Sequence, residues 1–290
     1  MIITNVYDFP QAFVNAISID HEYKPNEYRA TSMLKGFKEL LLTRRHDNKI
    51  MVDVSDMVWS IFGTAVHNLF KEQKETDSEL KEERLRTQIG NYILTGQPDL
   101  YCYKTQTLTD YKTTSVWKII HKSYDDWYRQ MYIYSFLLSE YNFPVKEARI
   151  IPFLKDHSKT TALRDADYPQ HPTFPITFPI TDKDIEYTKA WLTERFSLIK
   201  KYESLPDDEI PVCTEEERWY TGDKYAVTKE GRKSAVRLLD TEEEAKQYIK
   251  DKIKESDLKK ISIVKRKGVD NKCTGYCYCN KFCNYYKETY

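Results

Sequence analysis

The sequence lacks the features that mark several classes of protein. Nowhere do about 18 apolar residues follow one another, which excludes a membrane-spanning helix. The first residues have neither the basic start nor the apolar run of a secretory signal. No G-x-x-x-x-G-K-[ST] motif occurs, so the chain is expected to carry no P-loop motor. We therefore expect a soluble, cytoplasmic protein that has no membrane partner.

Net charge is also missing, because 45 Lys and Arg residues balance 45 Asp and Glu residues. This balance argues against nonspecific attachment to nucleic acid, although a neutral total can hide a basic groove. Residues 44–46 and 259–267 form two basic clusters. Solvated surface charge and phosphate contact explain each cluster equally well. The 23 tyrosines could stack on bases, and compositional bias explains them as well.

The sequence patterns that are present predict an α/β protein with an appendage. Apolar spacing predicts helices and strands in the order helix, helix, strand, strand, helix, strand, helix, over residues 28–43, 53–75, 89–103, 107–113, 127–141, 148–154 and 181–203. The second helix is apolar on two faces, which predicts burial. The charged segment 71–86 is expected to leave the core, and residues 167–179 to form a proline-rich loop.

Pro206 and Pro211 mark a predicted domain boundary. Residues 1–210 would form the catalytic core with its N-terminal helices. Residues 211–290 would form an appendage, with a hairpin of residues 224–229 and 234–239, a helix over 241–256 and a cysteine-rich end.

A short acidic hairpin carries the most specific chemical signal. Within residues 96–114, GQPDLYCYKTQTLTDYKTT, Asp110 and Lys112 are two apart on a strand and therefore point the same way. If the strands pair around the loop 103–106, Asp99 faces Asp110. Opposed carboxylates repel, but a divalent cation would offset the repulsion, and oxygen ligands suit Mg²⁺ or Mn²⁺. An acidic hairpin that only faces solvent is the alternative.

Two further motifs lie on predicted helices. In GTAVH, His67 lies one turn beyond Gly63 on the same face, where the missing side chain leaves space beside the imidazole. Such a histidine suits a metal ligand, and a hydrogen-bonded core histidine fits the pattern too. Gln130 and Tyr134 share one helix face and could hold a phosphate or orient Lys112. The alternative is an aromatic packing face.

Taken together, the motifs resemble the RecB-like branch of the PD-(D/E)XK nucleases, and within it the stand-alone nucleases of bacteriophages. The chain reads GTAVH, G-x-x-D, D-Y-K and Q-x-x-x-Y over residues 63–134, and the general pattern continues from Thr31 to the C-terminus. The resemblance implies a restriction-endonuclease-like core, in which helices flank a central mixed sheet. Asp110 stands where many members carry glutamate, which is an accepted alternative in the family.

The resemblance also implies roles for individual residues. It implies that four groups bind a divalent cation, Mg²⁺ or Mn²⁺: His67, Asp99, Asp110 and the backbone carbonyl of Tyr111. It makes Lys112 the catalytic lysine and gives Gln130 and Tyr134 a supporting role. Glu82 and Glu83 are further candidates for a supporting carboxylate, without an assignment.

The function that the resemblance implies is metal-dependent hydrolysis of DNA, by an exonuclease in recombination, repair or phage genome processing. The expected partners are single-stranded DNA or duplex ends, and a helicase or recombination protein on a separate chain. A phage-encoded chain would act in the host cytoplasm. The alternative is a noncatalytic DNA-binding protein on a nuclease-like scaffold held together by zinc, but the intact acidic residues and lysine favour an enzyme.

The six cysteines are unevenly placed, and four lie in the last eighteen residues. In a chain without a secretion signal, this placement indicates metal before disulfide bonds. Four thiolates suit zinc or an iron–sulfur cluster, and spacing does not separate them. Cys102, on a predicted strand, is most simply a small buried residue.

The family resemblance favours iron–sulfur, because several RecB-like nucleases hold a [4Fe–4S] cluster with three C-terminal cysteines and one distant cysteine. The distant cysteine usually precedes the core, but no cysteine precedes His67 here, so Cys213 takes its place. The implied ligands are Cys213, Cys273, Cys277 and Cys283. Cys279 is the expected extra cysteine, and the choice between it and Cys277 stays open.

Overall fold

The computed structural model describes residues 1–17, 23–73, 76 and 78–290. Contacts divide the chain into two compact units. The first contains Met1–Lys35 and Leu40–Ile210, and the second contains Gly36–Glu39 and Pro211–Tyr290. In the described residues, no helix combines the length and the apolar character needed to cross a bilayer.

The first unit is built around a mixed sheet with the strand order β10-β9-β8-β7-β4. Strands β8 and β9 are parallel, and the other neighbours in this sheet are antiparallel. Smaller sheets pair β1 with β3, and β6 with β2 and β5. The strands are β1 Ile2–Thr4, β2 Glu27–Arg29, β3 Met51–Asp53, β4 Glu79–Lys81, β5 Leu85–Ile89, β6 Tyr92–Gly96, β7 Leu100–Cys102, β8 Thr107–Thr114, β9 Glu147–Leu154 and β10 Ile176–Pro179.

Helices alternate with these strands along the chain, and α6 contributes more buried side chains than any other helix in the described residues. The helices are α1 Gln11–Ile17, α2 Ala30–Met33, α3 Phe37–Arg45, α4 Val58–Lys71, α5 Val116–Ile120, α6 Asp125–Ser139, α7 Lys159–Ala162 and α8 Asp182–Tyr202. Helix α8 begins with a capping box, in which Thr181 and Asp184 satisfy each other's backbone N–H groups. The chain is a mixed α/β protein, as its sequence predicts.

Tertiary packing overrides the predicted helix over residues 28–43. Tyr28 lies in β2, which runs parallel to β6, and its buried ring packs edge-on against Tyr92 and Phe196. The helical path stops after Met33 and resumes at Phe37. Local helix propensity is a weak force, and the burial of this tyrosine among other rings outweighs it.

Two other segments also differ from prediction. The charged segment 71–86 contains β4 and the start of β5, where Leu85 is buried. The proline-rich stretch ends in β10, which pairs with β9 at the sheet edge. An edge strand tolerates Pro179, because its missing N–H is not needed for a second neighbour.

Helix α4 is not the buried helix that its two apolar faces predict. None of its side chains is buried, and Trp59 and Phe62 are 63% and 47% exposed. Its last turn is packed, since Phe70 stacks on Tyr111 with ring centroids 4.1 Å apart. The helix ends at Lys71, whereas Glu75, where the prediction ended it, lies outside the described residues.

The second unit contains a small antiparallel sheet with the order β12-β11-β13. Its elements are α9 Glu215–Arg218, β11 Lys224–Lys229, β12 Arg237–Leu239, α10 Glu242–Lys252, β13 Ile261–Arg266, α11 Asn271–Gly275 and α12 Asn284–Thr289. The predicted hairpin and the helix that follows it are confirmed, whereas β13 was not predicted. The fully buried apolar side chains of this unit are few: Phe37, Ala226, Val227, Ala245 and Cys279.

Candidate active site

The β7–β8 hairpin brings two carboxylates together. Its register pairs Cys102 with Thr107 and Leu100 with Thr109, as the four-residue loop predicts. Extended by one residue, the same register would set Asp99 opposite Asp110. Asp99 accepts a hydrogen bond of 2.7 Å from the backbone N–H of Tyr111, so its carboxylate is fixed beside the strand that carries Asp110.

Asp110 belongs to a closed polar network. Its side chain is 1% exposed, and Lys112 Nζ lies 2.7 Å from its Oδ2. Lys112 also donates to Gln130 Oε1 at 2.9 Å. The Gln130 amide donates to Asp110 Oδ1 at 3.3 Å and to the Tyr134 hydroxyl at 3.0 Å. Asp110 of the same strand and Gln130 of helix α6 therefore both contact the Lys112 ammonium, and Tyr134 contacts Gln130.

Gly96 allows the helix that carries Gln130 and Tyr134 to approach the sheet. A Cβ atom at this position would lie 2.5 Å from a methyl carbon of Leu137 and 3.0 Å from a ring carbon of Tyr134. No real side chain tolerates the shorter of these distances. The glycine of the G-x-x-D motif thus has a packing reason, three residues before the carboxylate of Asp99.

Helix α4 supplies an imidazole to the same place. His67 Nδ1 lies 3.1 Å from Asp99 Oδ1, and the His67 side chain is one-third exposed. Nothing lies within 4 Å of where a Cβ of Gly63 would be, so the predicted open space one turn before His67 is present. The histidine is thus a partly exposed group at the site rather than a core residue.

The structure adds Glu82 to the site, a residue that the sequence offered only as a candidate supporting carboxylate. One potential ligand atom from each of His67, Glu82 and Asp99 lies within 4.8 Å of the other two. Glu82 adopts a left-handed backbone conformation with φ of 49°, and its N–H donates to the backbone carbonyls of Pro98 and Asp99. Gln97 donates to its carboxylate at 2.8 Å. Glu83, by contrast, is exposed.

The electrostatics of the site reflect burial and mutual proximity. Burial raises the pKa of Asp110, and Asp99 raises it further, whereas the Lys112 ammonium opposes both. The pKa of His67 is raised chiefly by its hydrogen bond to Asp99. Burial also raises the pKa of Tyr134, which keeps the phenol neutral. Without a cation, the negative charge of Asp110 is compensated by a proton or by the Lys112 ammonium.

The donor atoms suit a hard divalent cation. Carboxylate oxygens and one imidazole are ligands that Mg²⁺ and, more readily, Mn²⁺ accept. His67, Glu82 and Asp99 are close enough to share one ion. The Tyr111 carbonyl belongs to β8, between Asp110 and Lys112, in the strand that borders the group.

The basic cluster at residues 44–46 serves the fold. Arg45 and His46 both pair with Asp207, His46 at 2.6 Å. Arg44 donates to two backbone carbonyls. These contacts favour a structural role for the cluster over phosphate contact.

The second unit gathers cysteine side chains around Cys273. Burial raises its pKa to about 12, and nearby Cys277, Cys213 and Cys283 raise it as well. Cys279, the expected extra cysteine, is fully buried and its sulfur lies 3.5 Å from that of Cys277.

Residues 36–39 approach this cluster from within the second unit. A Cβ on Gly36 would lie 2.8 Å from Cys213 Sγ, so only glycine fits here without displacement. Glu39 accepts a contact of 3.8 Å from Cys279 Sγ and forms an ion pair of 2.8 Å with Lys272. Burial raises the pKa of Cys213 to about 11. Cys102, expected to be buried, is half-buried in the other unit.

Comparison with known proteins gives distant likenesses of fold. No family model matches the chain, and no curated protein does either. The alkaline exonuclease LHK-Exo from Laribacter hongkongensis, solved with dAMP, is 11% identical with a TM-score of 0.39, over 66% of this chain and 92% of that one. A phage-related exonuclease from Haemophilus somnus 129PT is 14% identical with a TM-score of 0.31, over 62% and 97%. At this level of similarity, the site's own residues decide its interpretation.

Proposed function

We propose that this chain is a divalent-metal-dependent deoxyribonuclease that hydrolyses DNA phosphodiester bonds. One observation carries the proposal: the His67–Glu82–Asp99 group lies beside a buried aspartate that is paired with a lysine. Clustered carboxylates repel one another, and a bound cation together with a phosphate offsets that repulsion. A purely structural ion pair would not require the additional histidine and carboxylates.

The proposed ligands of the cation are side chains and one backbone group: His67, Glu82, Asp99, Asp110 and the carbonyl of Tyr111. When bound, the cation would supply positive charge to the scissile phosphate and lower the pKa of a water molecule. Asp99 is positioned for this role by the N–H of Tyr111, and Glu82 by Gln97. Such fixed ligands lose little conformational entropy when they bind an ion.

Lys112 is the proposed catalytic lysine. Its ammonium is held between Asp110 and Gln130, at 2.7 Å and 2.9 Å, before any substrate arrives. A fixed cation stabilises the negative charge that develops on a phosphate in the transition state, because it need not reorganise. Gln130 and Tyr134 are proposed to position this lysine rather than to contact the reacting atoms.

The proposed substrate is DNA with a free end, either single-stranded or duplex. The proposed role is that of an exonuclease in recombination, repair or phage genome processing, together with a separate helicase or recombination protein. This part of the proposal rests on the motif resemblance; the geometry of the site supports phosphodiester hydrolysis in general.

For the second unit we propose a structural [4Fe–4S] cluster bound by Cys213, Cys273, Cys277 and Cys283. Four thiolates suit either tetrahedral zinc or an iron–sulfur cluster. The preference for iron–sulfur over zinc rests on the motif resemblance. Elemental analysis for iron, sulfide and zinc decides between them.

The experiment that tests the nuclease proposal uses the purified full chain. End-labelled single-stranded and duplex DNA are incubated with the protein in Mg²⁺, in Mn²⁺ and with a chelator. We expect cleavage only with a cation, and the size of the first labelled products separates exonuclease from endonuclease action. DNA binding without cleavage under all three conditions would instead support the noncatalytic alternative.

A further inference from the structure

Helix α4 carries an apolar stripe that is packed at one end and exposed at the other. Trp59, Phe62, Val66 and Phe70 follow a spacing of three, four and four residues and therefore share one face. At the C-terminal end of the stripe, Phe70 packs on Tyr111 and Phe153. At the N-terminal end, Trp59 and Phe62 are left exposed.

The two exposed rings are stacked on each other, and a cation lies over one of them. Their centroids lie 5.8 Å apart, and their planes differ by 29°. Lys155 Nζ lies 3.8 Å from the centroid of the Trp59 ring. Exposed aromatic rings with an adjacent lysine match a nucleic-acid strand, whose bases stack on rings and whose phosphates pair with cations.

The same surface lies within reach of the candidate active site, along two independent paths. Trp59 precedes His67 by eight residues on one helix, which is about 12 Å. Lys155 follows β9, in which Pro152 pairs with Lys112 of β8, so three residues of strand or about 10 Å separate the two positions. A strand bound at the site would need only a few nucleotides to cover both places.

We propose that Trp59 and Phe62, with Lys155, form a stacking platform that binds the bases of single-stranded DNA next to the active site. The proposal rests on the proposed nuclease function and narrows its substrate to a single strand. A duplex cannot use the platform in the same way, because each base face is already stacked on its neighbours. Lys155 contributes the charge that a purely apolar protein interface would not need.

The test measures the binding of fluorescently labelled oligo(dT) to the full chain by anisotropy, in chelator so that no cleavage occurs. We expect Trp59→Ala to weaken binding about tenfold or more, and Trp59→Phe to retain most of it, because the ring face is what binds. Lys155→Gln should weaken binding less, and should reduce its dependence on salt. Binding of blunt duplex should change little in all three variants.

Two matched controls accompany these variants. Tyr187→Ala removes an aromatic ring that is 74% exposed on α8, and Leu69→Ala removes an exposed apolar side chain from α4 itself. Both should bind oligo(dT) like the unmodified chain. Equal binding by the unmodified chain and Trp59→Ala would overturn the proposal. So would a concentration-dependent dimer in sedimentation that both Trp59→Ala and Phe62→Ala dissociate, because the stripe would then be a protein interface.

The two proposals fail separately. A chain that binds oligo(dT) through Trp59 but cleaves no DNA with any cation would refute the nuclease function and leave the platform standing. If the unmodified chain cleaves DNA while Trp59→Ala binds single strands normally, the platform is refuted and the nuclease function stands.

Discussion

The two units compensate their reactive side chains in different ways. In the first unit, Lys112 pairs with Asp110, and His67 with Asp99, so each charged group has a protein partner. In the second unit, the half-buried thiols of Cys213 and Cys273 lie in surroundings that raise their pKa well above the usual range. The charges of the first arrangement are balanced by protein groups, whereas the second would gain more from the proposed metal.

The sizes of the two apolar cores also differ between the units. The first unit buries many side chains around its sheet and α6, whereas the second buries few and mostly small ones. A unit of about eighty residues with so small a core would gain stability from a covalent or metal crosslink. Metal is therefore expected to act on catalysis in the first unit and on stability in the second.

The largest expected effect is the loss of the proposed cluster in Cys213→Ser. Cys213 and the C-terminal cysteines are separated by about sixty residues, and closing such a loop contributes roughly 4 kcal/mol on the disulfide model. We expect a lower unfolding midpoint and the loss of iron, measured by calorimetry and elemental analysis. Cys102→Ser, in the other unit, is the control and should change neither. An unchanged midpoint in a Cys213→Ser protein without iron would refute a structural cluster.

Gly36→Ala sharpens the comparison, because it tests whether Cys213 is bound to metal. The added methyl would lie 2.8 Å from Cys213 Sγ. A free thiol can rotate away, whereas a ligand cannot, so the cost should be about 1–3 kcal/mol only if the cluster is present. Gly275→Ala is the control, since open space surrounds that position. Equal stability of the two variants, when iron is bound, would argue that Cys213 is not a ligand.

Glu82→Gln tests the carboxylate that the structure adds to the first unit. Losing one charged ligand should weaken Mn²⁺ binding by about 10- to 100-fold, while folding stays intact because Gln97 can still donate to the new amide. Isothermal titration with Mn²⁺ measures this effect. Glu83→Gln is the matched control next in the chain. If both variants bind Mn²⁺ equally well, Glu82 is not a ligand.

A change of pH is expected to have a smaller effect on the affinity for Mn²⁺. The ligands must lose their protons to bind a cation, and the pKa values of His67 and Asp110 are both raised in the free protein. Protons therefore compete at higher pH than usual, and Mn²⁺ affinity should fall several-fold as pH is lowered from about 8 to about 6. In His67→Gln the affinity should be weaker throughout but depend less on pH. A constant affinity in the unmodified chain would contradict the assigned ligands.

Sequence reasoning succeeded where the relevant geometry is local. The loop of four residues fixes the register of the β7–β8 hairpin, which pairs Cys102 with Thr107 and Leu100 with Thr109. The helical spacing of Gln130 and Tyr134 places both side chains on one face, where the structure joins them to Lys112. These features depend on periodicity alone.

Sequence reasoning failed where the neighbours of a segment in space decide its structure. The position of Glu82 depends on a left-handed residue and on backbone contacts with Pro98 and Asp99, which no local pattern encodes. The exposure of Trp59 depends on which distant segments cover its helix, not on the apolar spacing of that helix. The assignment of residues 36–39 to the second unit likewise results from distant contacts.

The most direct test of the central claim is the cleavage rate of Asp110→Asn, measured in a single turnover with end-labelled DNA and saturating Mg²⁺. Removal of a ligand's charge should cost several kcal/mol of transition-state stabilisation, which is a loss of about 10³-fold or more. Asp182→Asn, an exposed aspartate in the first turn of α8, is the matched control and should cleave at the unmodified rate. Cleavage by a folded Asp110→Asn protein at the same rate as the control would contradict the proposed active site.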